Sequence, residues 1–335
     1  MEIYNTFDEA YRATLYDLKS TGAVVPAVVD PYSVGSRFGK KARATREHLS
    51  YGFGLADPRA RLVKSSHRRF DLVFAVAQLV WFLSGSDSVE AISFYNPRGR
   101  DFSDDGRTVR GAYGKRLFNL VGGLNQMADA ITKLNADPAS RRVVALIYLP
   151  EDTGASSRDI PCTIGVQFLV REGALHMITN MRSQSAAFVM PYDVFAFTML
   201  QEIVARELDL ELGAYYHHSN SFHYYDDETA MVEAVLSEIL PLATPMRSMP
   251  SGTSLHYLQS VTAFDASIRA TTQAGDFTLD HFLASAHDFD PYWSQICLIL
   301  LSKAVQGTDN YDRIIEQLWP EYQEILSHRA TVVSG

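Results

Sequence analysis

The chain is poor in cysteine and has no long apolar run. Cys162 and Cys297 are its two cysteines in 335 residues, too few for a disulfide framework, and unpaired thiols suit a reducing compartment. No apolar stretch reaches the roughly 20 residues of a membrane-spanning helix. Met1-Glu2-Ile3-Tyr4-Asn5 lacks the basic and apolar regions of a secretory leader. A cytoplasmic location is therefore expected, with no membrane partner. Positive charge is not in excess either: the net charge of −9 argues against a general nucleic-acid surface, although a local arginine cluster can still hold a small phosphate ester. Internal repeats and low-complexity tracts are absent. What is present is 47% hydrophobic residues, enough to bury a substantial core.

Phe7 to Ser20 carries apolar residues at helical spacing and stops near Gly22, which predicts a first helix. Val29 to Glu47 is rich in Gly, Ser and basic residues and reads as a mobile basic loop. Leu72 to Leu83 is almost wholly apolar, a buried helix whose one strongly polar member, Gln78, must find partners. Arg142 to Leu149, Thr163 to Val170 and Ala174 to Met181 are strand-like, the last two joined as a hairpin, and supply a central sheet. Val194 to Leu208 predicts a core helix starting just after Asp193. Residues 242–255, with Pro245, Pro250 and Gly252, have the composition of a connector between a core of 1–241 and a helical extension of 256–335. Within that extension, Tyr292 to Val305 and Tyr311 to Leu326 look helical, with Gly307 and Pro320 as punctuation.

Cys162 follows Asp159-Ile160-Pro161 and precedes a β-like run, so its thiol sits at the mouth of a strand. A lone cysteine is more often a packed hydrophobe than a nucleophile. A nucleophile needs a thiolate, which a nearby cation such as Arg182 favours. Arg182-Ser183 offers a guanidinium fork and a hydroxyl suited to a phosphate, against the alternative of a surface ion pair. Arg141 and Arg142 alternate on a strand, so one sheet face cannot use both equally, and a second subunit can receive one. Asp193 is a helix N-cap by position, or else a reader of a base. A carboxyl group accepts from an exocyclic amine and, if protonated, donates to a ring nitrogen, the pattern of cytosine rather than uracil. His223, Tyr225 and Asp227 share one face of an extended segment, and the His223/Tyr225 pair suits ribose hydroxyls. A metal site from His217, His218, His223, Asp226, Asp227 and Glu228 is the competing interpretation; it lacks the His-Glu-x-x-His helix spacing and its acids continue into a helix start, and no metal is expected.

Taken in order, Trp81-Phe82-Leu83-Ser84-Gly85, Gly111-Ala112-Tyr113-Gly114, Asp137-Pro138-Ala139-Ser140-Arg141-Arg142, Pro161-Cys162, Gln167-Phe168, Arg182-Ser183, Pro191-Tyr192-Asp193 and His223-Tyr224-Tyr225 resemble the thymidylate synthase family. The resemblance runs from about Phe7 to Glu228 and is nearest the cytidylate 5-hydroxymethylase branch. It implies an α+β fold, a mixed sheet with surrounding helices, assembled as a homodimer. It also implies that Cys162 adds to C6 of a pyrimidine nucleoside monophosphate, CMP or dCMP. C5 then takes a one-carbon unit from 5,10-methylenetetrahydrofolate, and water traps the methylene as a hydroxymethyl group. By the same resemblance Arg182, Ser183 and Arg37 hold the phosphate, with Arg141 and Arg142 from the partner subunit. His223 and Tyr225 hold the sugar, Asp193 stands where the cytosine-specific branch has aspartate, Tyr113 joins the catalytic group, and Trp81 and Ser185 meet the folate. Gln78 departs from the pattern, standing where the family has a catalytic glutamate, and Gln cannot ionise. Ser185 replaces an aspartate and Met181 a glutamine, and the segment after Leu255 does not resemble the family's short folate-capping tail. The alternatives are C5 methyl transfer on the same nucleotide, a nucleotide-binding relative with impaired catalysis and, from another class, a thiol hydrolase.

Overall fold

A computed structural model describes residues 1–28, 43–239 and 244–330. Arg37 lies outside them. After β1 (Glu2–Tyr4), α1 (Phe7–Thr21) starts at a reciprocal cap: Thr6 Oγ1 accepts from the Glu9 amide and Glu9 Oε2 accepts from the Thr6 amide. Next come β2 (Ala23–Val28) and β3 (Arg43–Leu55). The end of the expected basic loop is thus strand: Arg43 pairs with Val28 and Arg46 with Val24, so backbone pairing overrides a polar composition. Helix α2 (Leu72–Leu83) has the predicted bounds, capped by Asp71, whose carboxylate accepts from the Phe74 amide. Short helices α3 (Val89–Tyr95) and α4 (Tyr113–Phe118) follow, then α5 (Gln126–Ala136). Gly114 lies so close to the backbone of Phe82 that any side chain there would collide with it, which ties α4 to the end of α2.

The strands β4 (Val144–Leu146), β5 (Thr163–Arg171), β6 (Ala174–Met181), β7 (Gln184–Ser185) and β8 (Glu211–Tyr225) complete a mixed sheet of order β1-β3-β8-β6-β5-β4, with β2 beside β3 and β7 beside β8. Strands β5 and β6 are the predicted hairpin, turning through Glu172 and Gly173, both at positive φ. Strand β4 is shorter than expected because the Ile147 and Tyr148 amides both turn to the Ile164 carbonyl, which ends regular pairing. Helix α6 (Met190–Glu207) starts earlier than expected, with Pro191 in its first turn. Asp193 is therefore inside the helix, and its N-cap role is excluded: Val189 occupies the cap.

Beyond α7 (Thr229–Ser237) lie α8 (Leu258–Ala274), α9 (Leu279–His287), α10 (Pro291–Ser302), α11 (Asn310–Ile315) and α12 (Pro320–Ala330). The helical stretch expected over 311–326 divides at Pro320, which cannot donate to a preceding turn and starts a helix of its own. Helices α8, α10 and α12 pack on α2, and one hydrophobic core runs continuously from Phe7 to Leu326. Inside it, Arg61 and Glu202 form an ion pair with both side chains at 0% exposure. Glu202 also accepts from the Met249 amide, so the pair ties the chain after α7 to α6.

Candidate active site

Pro161 delivers Cys162 to the entrance of β5, and the end of β6 brings Arg182 beside it. The Arg182 amide donates to the Cys162 carbonyl at 2.8 Å. Its guanidinium donates through Nε to the Pro161 carbonyl (2.8 Å) and through Nη2 to that of Ile160 (2.9 Å), with Nη2 3.9 Å from Cys162 Sγ. The arginine thus holds the nucleophile's own loop, and Nη1 keeps no hydrogen bond among the described residues. Burial pushes the Cys162 thiol up to about 11; Arg182 pulls against this, while Asp193 and Asp159 add to it. The thiol is neutral near pH 7.

Cys162 opens into a cavity of about 1080 Å³ shared with Gln78, Ser183, Ser185, His223 and Tyr225. Small-molecule sites commonly measure about 300–1,000 Å³, so this one stands at the large end of that range. His223 and Tyr225 end β8 on one face as predicted, their rings edge to face at 5.1 Å. Burial lowers the His223 pKa and keeps the imidazole neutral, a fit partner for a hydroxyl. Asp227 leaves that face, since the strand stops at Tyr225, and pairs with Arg43 at 3.2 Å. The Arg43 guanidinium in turn lies 3.4 Å from the Tyr225 ring centre. Gln78 faces the cavity from α2, and its side chain makes no hydrogen bond among the described residues.

Several predicted residues lie elsewhere. Tyr113 sits behind the nucleophile, its hydroxyl accepting from the Thr163 amide at 3.2 Å and its ring against Phe82 and Phe197. Trp81 does not face the Cys162 cavity: one turn along α2 from Gln78, it lines a separate cavity of about 320 Å³ with α8. Arg141 and Arg142 are exposed on the approach to β4, away from the cavity; the Arg141 carbonyl accepts from Gln167 at 3.0 Å. Asp193 is 4% exposed and adjoins the cavity-lining Gln184 and Tyr192, accepting from Gln184 Nε2 at 3.0 Å. Burial raises its carboxyl pKa to about 7, against the donation it receives from Gln184. Among the described residues no group of three His, Cys, Asp or Glu is placed to hold a metal. His217 and His218 point to opposite faces of β8, as neighbours on a strand must.

Sequence reasoning missed Gln184, which is buried beside Asp193, and the cavity residues Arg68, Lys303 and Tyr311, and it weighed His217 only as a metal ligand. The alternation of β8 carried a signal for His217, because Tyr215, His217 and Ser219 form a polar run on the core face. Nothing local marked Lys303 and Tyr311, which arrive from the C-terminal helices.

Comparison with known proteins adds an independent line. The family model described as thymidylate synthase matches residues 42–318, well past the point near Glu228 where the motifs ended. A deoxyuridylate hydroxymethyltransferase of Bacillus phage SP01 is 31% identical over 173 residues, 48% of this chain and 45% of that protein. One of Delftia phage PhiW-14 is 31% identical over 197 residues, 55% of this chain and 54% of the relative. A thymidylate synthase of Francisella tularensis subsp. holarctica is 27% identical over 195 residues, 53% of this chain and 70% of that enzyme. The chain thus spans about half the length of the phage relatives it matches.

Proposed function

The chain belongs to the thymidylate synthase family, and from that premise we propose that it transfers a one-carbon unit from methylenetetrahydrofolate to C5 of CMP or dCMP, releasing the 5-hydroxymethyl nucleotide. The observation that carries this is Cys162 beside Arg182, at a cavity that also receives Ser183, His223 and Tyr225 and is backed by the buried Asp193 carboxyl. The Cys162 thiolate adds to C6, and the electron pair moves to C5. C5 bonds to the methylene carbon and loses its proton. The carbon–nitrogen bond to folate then breaks, water adds to the exocyclic methylene, and Cys162 departs. The sum is nucleotide, methylenetetrahydrofolate and water going to hydroxymethyl nucleotide and tetrahydrofolate, with no oxidant or reductant.

Arg182 favours the thiolate, and Nη1 with Ser183 meets the phosphate. Arg37 adds a further cation to that phosphate. His223 and Tyr225 take the sugar, Ser185 lies toward the folate, and Tyr113 supports the Cys162 loop from behind. Gln78 can orient a water through its amide but cannot take the C5 proton, so that proton passes to the water it holds. The protein acts as a homodimer in which Arg141 and Arg142 reach the partner's phosphate. Two observations support this: the arginines are exposed, and Val144 and Leu146 beside them are 50% and 45% exposed. Extension 256–335 supplies Lys303 and Tyr311 to the cavity, in place of the family's capping tail.

The names of the phage relatives favour a second interpretation, a uracil nucleotide as substrate; Asp193 favours cytosine. Tritium release from C5-labelled CMP, dCMP and dUMP with methylenetetrahydrofolate decides between them. Release from the cytidylates that is lost in Cys162→Ser supports the proposal. Preferred release from dUMP overturns the cytosine assignment, and no Cys162-dependent release leaves a nucleotide-binding relative. Product mass separates hydroxymethyl from methyl transfer.

A further inference from the structure

From Asp193 a line of side chains that the proposed chemistry does not use runs through Gln184 into the sheet. Tyr215, His217 and Gln184 are 0%, 1% and 1% exposed. The Tyr215 hydroxyl lies 2.9 Å from His217 Nδ1, His217 Nε2 lies 3.0 Å from Gln184 Oε1, and Gln184 Nε2 lies 3.0 Å from Asp193 Oδ2. An amide oxygen only accepts, so Nε2 of His217 carries the hydrogen. Nδ1 is then the acceptor, and the Tyr215 hydroxyl donates to it. An amide nitrogen only donates, so Asp193 Oδ2 is the acceptor at the end of the line. Along the line every donor points the same way, from phenol to carboxyl, and Gln184 Nε2 also donates to the Ser185 carbonyl at 3.4 Å. Phe53 stacks on His217 with centroids 5.3 Å apart, and burial holds the imidazole pKa down to about 3, so the ring stays neutral and keeps that polarity.

We propose that Gln184 and His217 are positioning residues for base selection: they commit Asp193 Oδ2 to the protein and leave Oδ1 alone to meet the base. The inference rests on Asp193 reading the base. Cytosine presents a ring acceptor at N3 and an amine donor at N4, whereas uracil presents a donor at N3 and an acceptor at O4. With Oδ2 occupied, any proton on the carboxyl sits on Oδ1, where it is donated to N3 of cytosine; an ionised Oδ1 accepts from the N4 amine. Uracil O4 needs a donor instead. The Gln184 amide is the donor beside Asp193, and His217 fixes it away from that task by occupying its oxygen. A glutamine freed from His217 can turn and serve O4, so the imidazole works against uracil by withholding a hydrogen bond.

The experiment measures CMP and UMP affinity by calorimetry on the full chain, with dCMP and dUMP as a second pair. His217→Phe, which keeps an aromatic ring against Phe53, narrows the preference for CMP over UMP about tenfold, the equivalent of about 1.4 kcal/mol. Gln184→Leu removes the donor altogether: CMP binding weakens and UMP does not gain. A purely structural role predicts equal losses for both bases, and that result overturns the proposal, as does a ratio within twofold of the parent in both variants. His217→Gln, which restores a donor to Gln184 Oε1, recovers the selectivity and replaces the phenylalanine variant if that one does not fold. Asp193→Asn separates the two levels. If it leaves the ratio unchanged, base reading by Asp193 fails; if it shifts the ratio while the His217 and Gln184 variants do not, only the positioning role fails.

Discussion

Replacing Arg182 by methionine removes the cation 3.9 Å from Cys162 Sγ, and the consequence for the thiol can be worked from that distance. Two unit charges about 4 Å apart attract by about 4 kcal/mol at an effective dielectric of about 20, or about 3 pKa units. Cys162 is partly exposed, and water at the cavity screens some of this, so a loss of at least about one unit is expected. The parent thiol, already pushed up to about 11, carries about one thiolate per thousand molecules at pH 8. Its rate of alkylation by iodoacetamide should rise about tenfold per pH unit through pH 9 without an inflection. Arg182→Met lowers the rate at pH 8 about tenfold or more. Arg182→Lys keeps the charge but loses the donations to the Ile160 and Pro161 carbonyls, and falls between the two. Mass spectrometry locates the adduct, and Cys297, at 0% exposure, stays unmodified in the folded protein. A parent inflection below pH 8.5 refutes the desolvation assigned to the thiol, and an unchanged rate in Arg182→Met refutes the arginine's influence on it. A normal rise in reactivity when CMP is bound would instead show that substrate binding completes the activation.

Other substitutions probe separate features. The Asp193 carboxyl, raised to about 7, contributes stability that is complete below its unfolded pKa of about 4 and is lost as pH rises through 7. Urea unfolding should therefore show Asp193→Asn gaining on the parent by on the order of 2 kcal/mol between pH 5 and pH 8; a pH-independent difference contradicts the raised pKa. Glu202→Ala strands the Arg61 guanidinium at 0% exposure and should cost about 3–5 kcal/mol in the same assay, against under 1 kcal/mol, roughly, for removing an exposed pair. Trp81→Phe should leave the folate KM within about twofold, because the indole lines the cavity against α8 and not the one at Cys162; a large rise returns Trp81 to the folate. Mixing inactive Arg142→Ala with inactive Cys162→Ser should restore tritium release if arginines cross between subunits, and a mixture as inactive as its parts argues for sites built within one chain.

The chemistry-bearing motifs were legible because each is short and sits where local rules hold. The β5–β6 hairpin, the bounds of α2 and the shared face of His223 and Tyr225 follow from apolar spacing, turn residues and the two-residue period of a strand. Local rules also misled. Asp before an apolar run is a favoured cap, but Pro191 moved the start of α6 back to Met190 and freed the Asp193 carboxyl for other partners. Likewise, Arg43 and Arg46 in a polar loop composition are strand residues, because β2 pairs with both and β8 with Arg46.

By itself the sequence determined that a lone thiol, a phosphate-sized arginine and serine, and a His/Tyr pair are carried at the mouths of strands, since strand period and the residue after proline are local properties of the chain. It also determined that Gln78 cannot ionise, whatever surrounds it. Tertiary structure alone decided which of these groups meet. It turned the Arg182 fork onto the carbonyls that precede Cys162, swung Trp81 away from the cavity that Gln78 enters, and brought Lys303 and Tyr311 to the same cavity from helices more than a hundred residues downstream. The Asp193, Gln184 and His217 line joins α6, β7 and β8; its polarity and the raised carboxyl pKa exist only when those elements pack and exclude water. Desolvation and hydrogen-bond direction are properties of an assembled interior, and no window of the chain contains them.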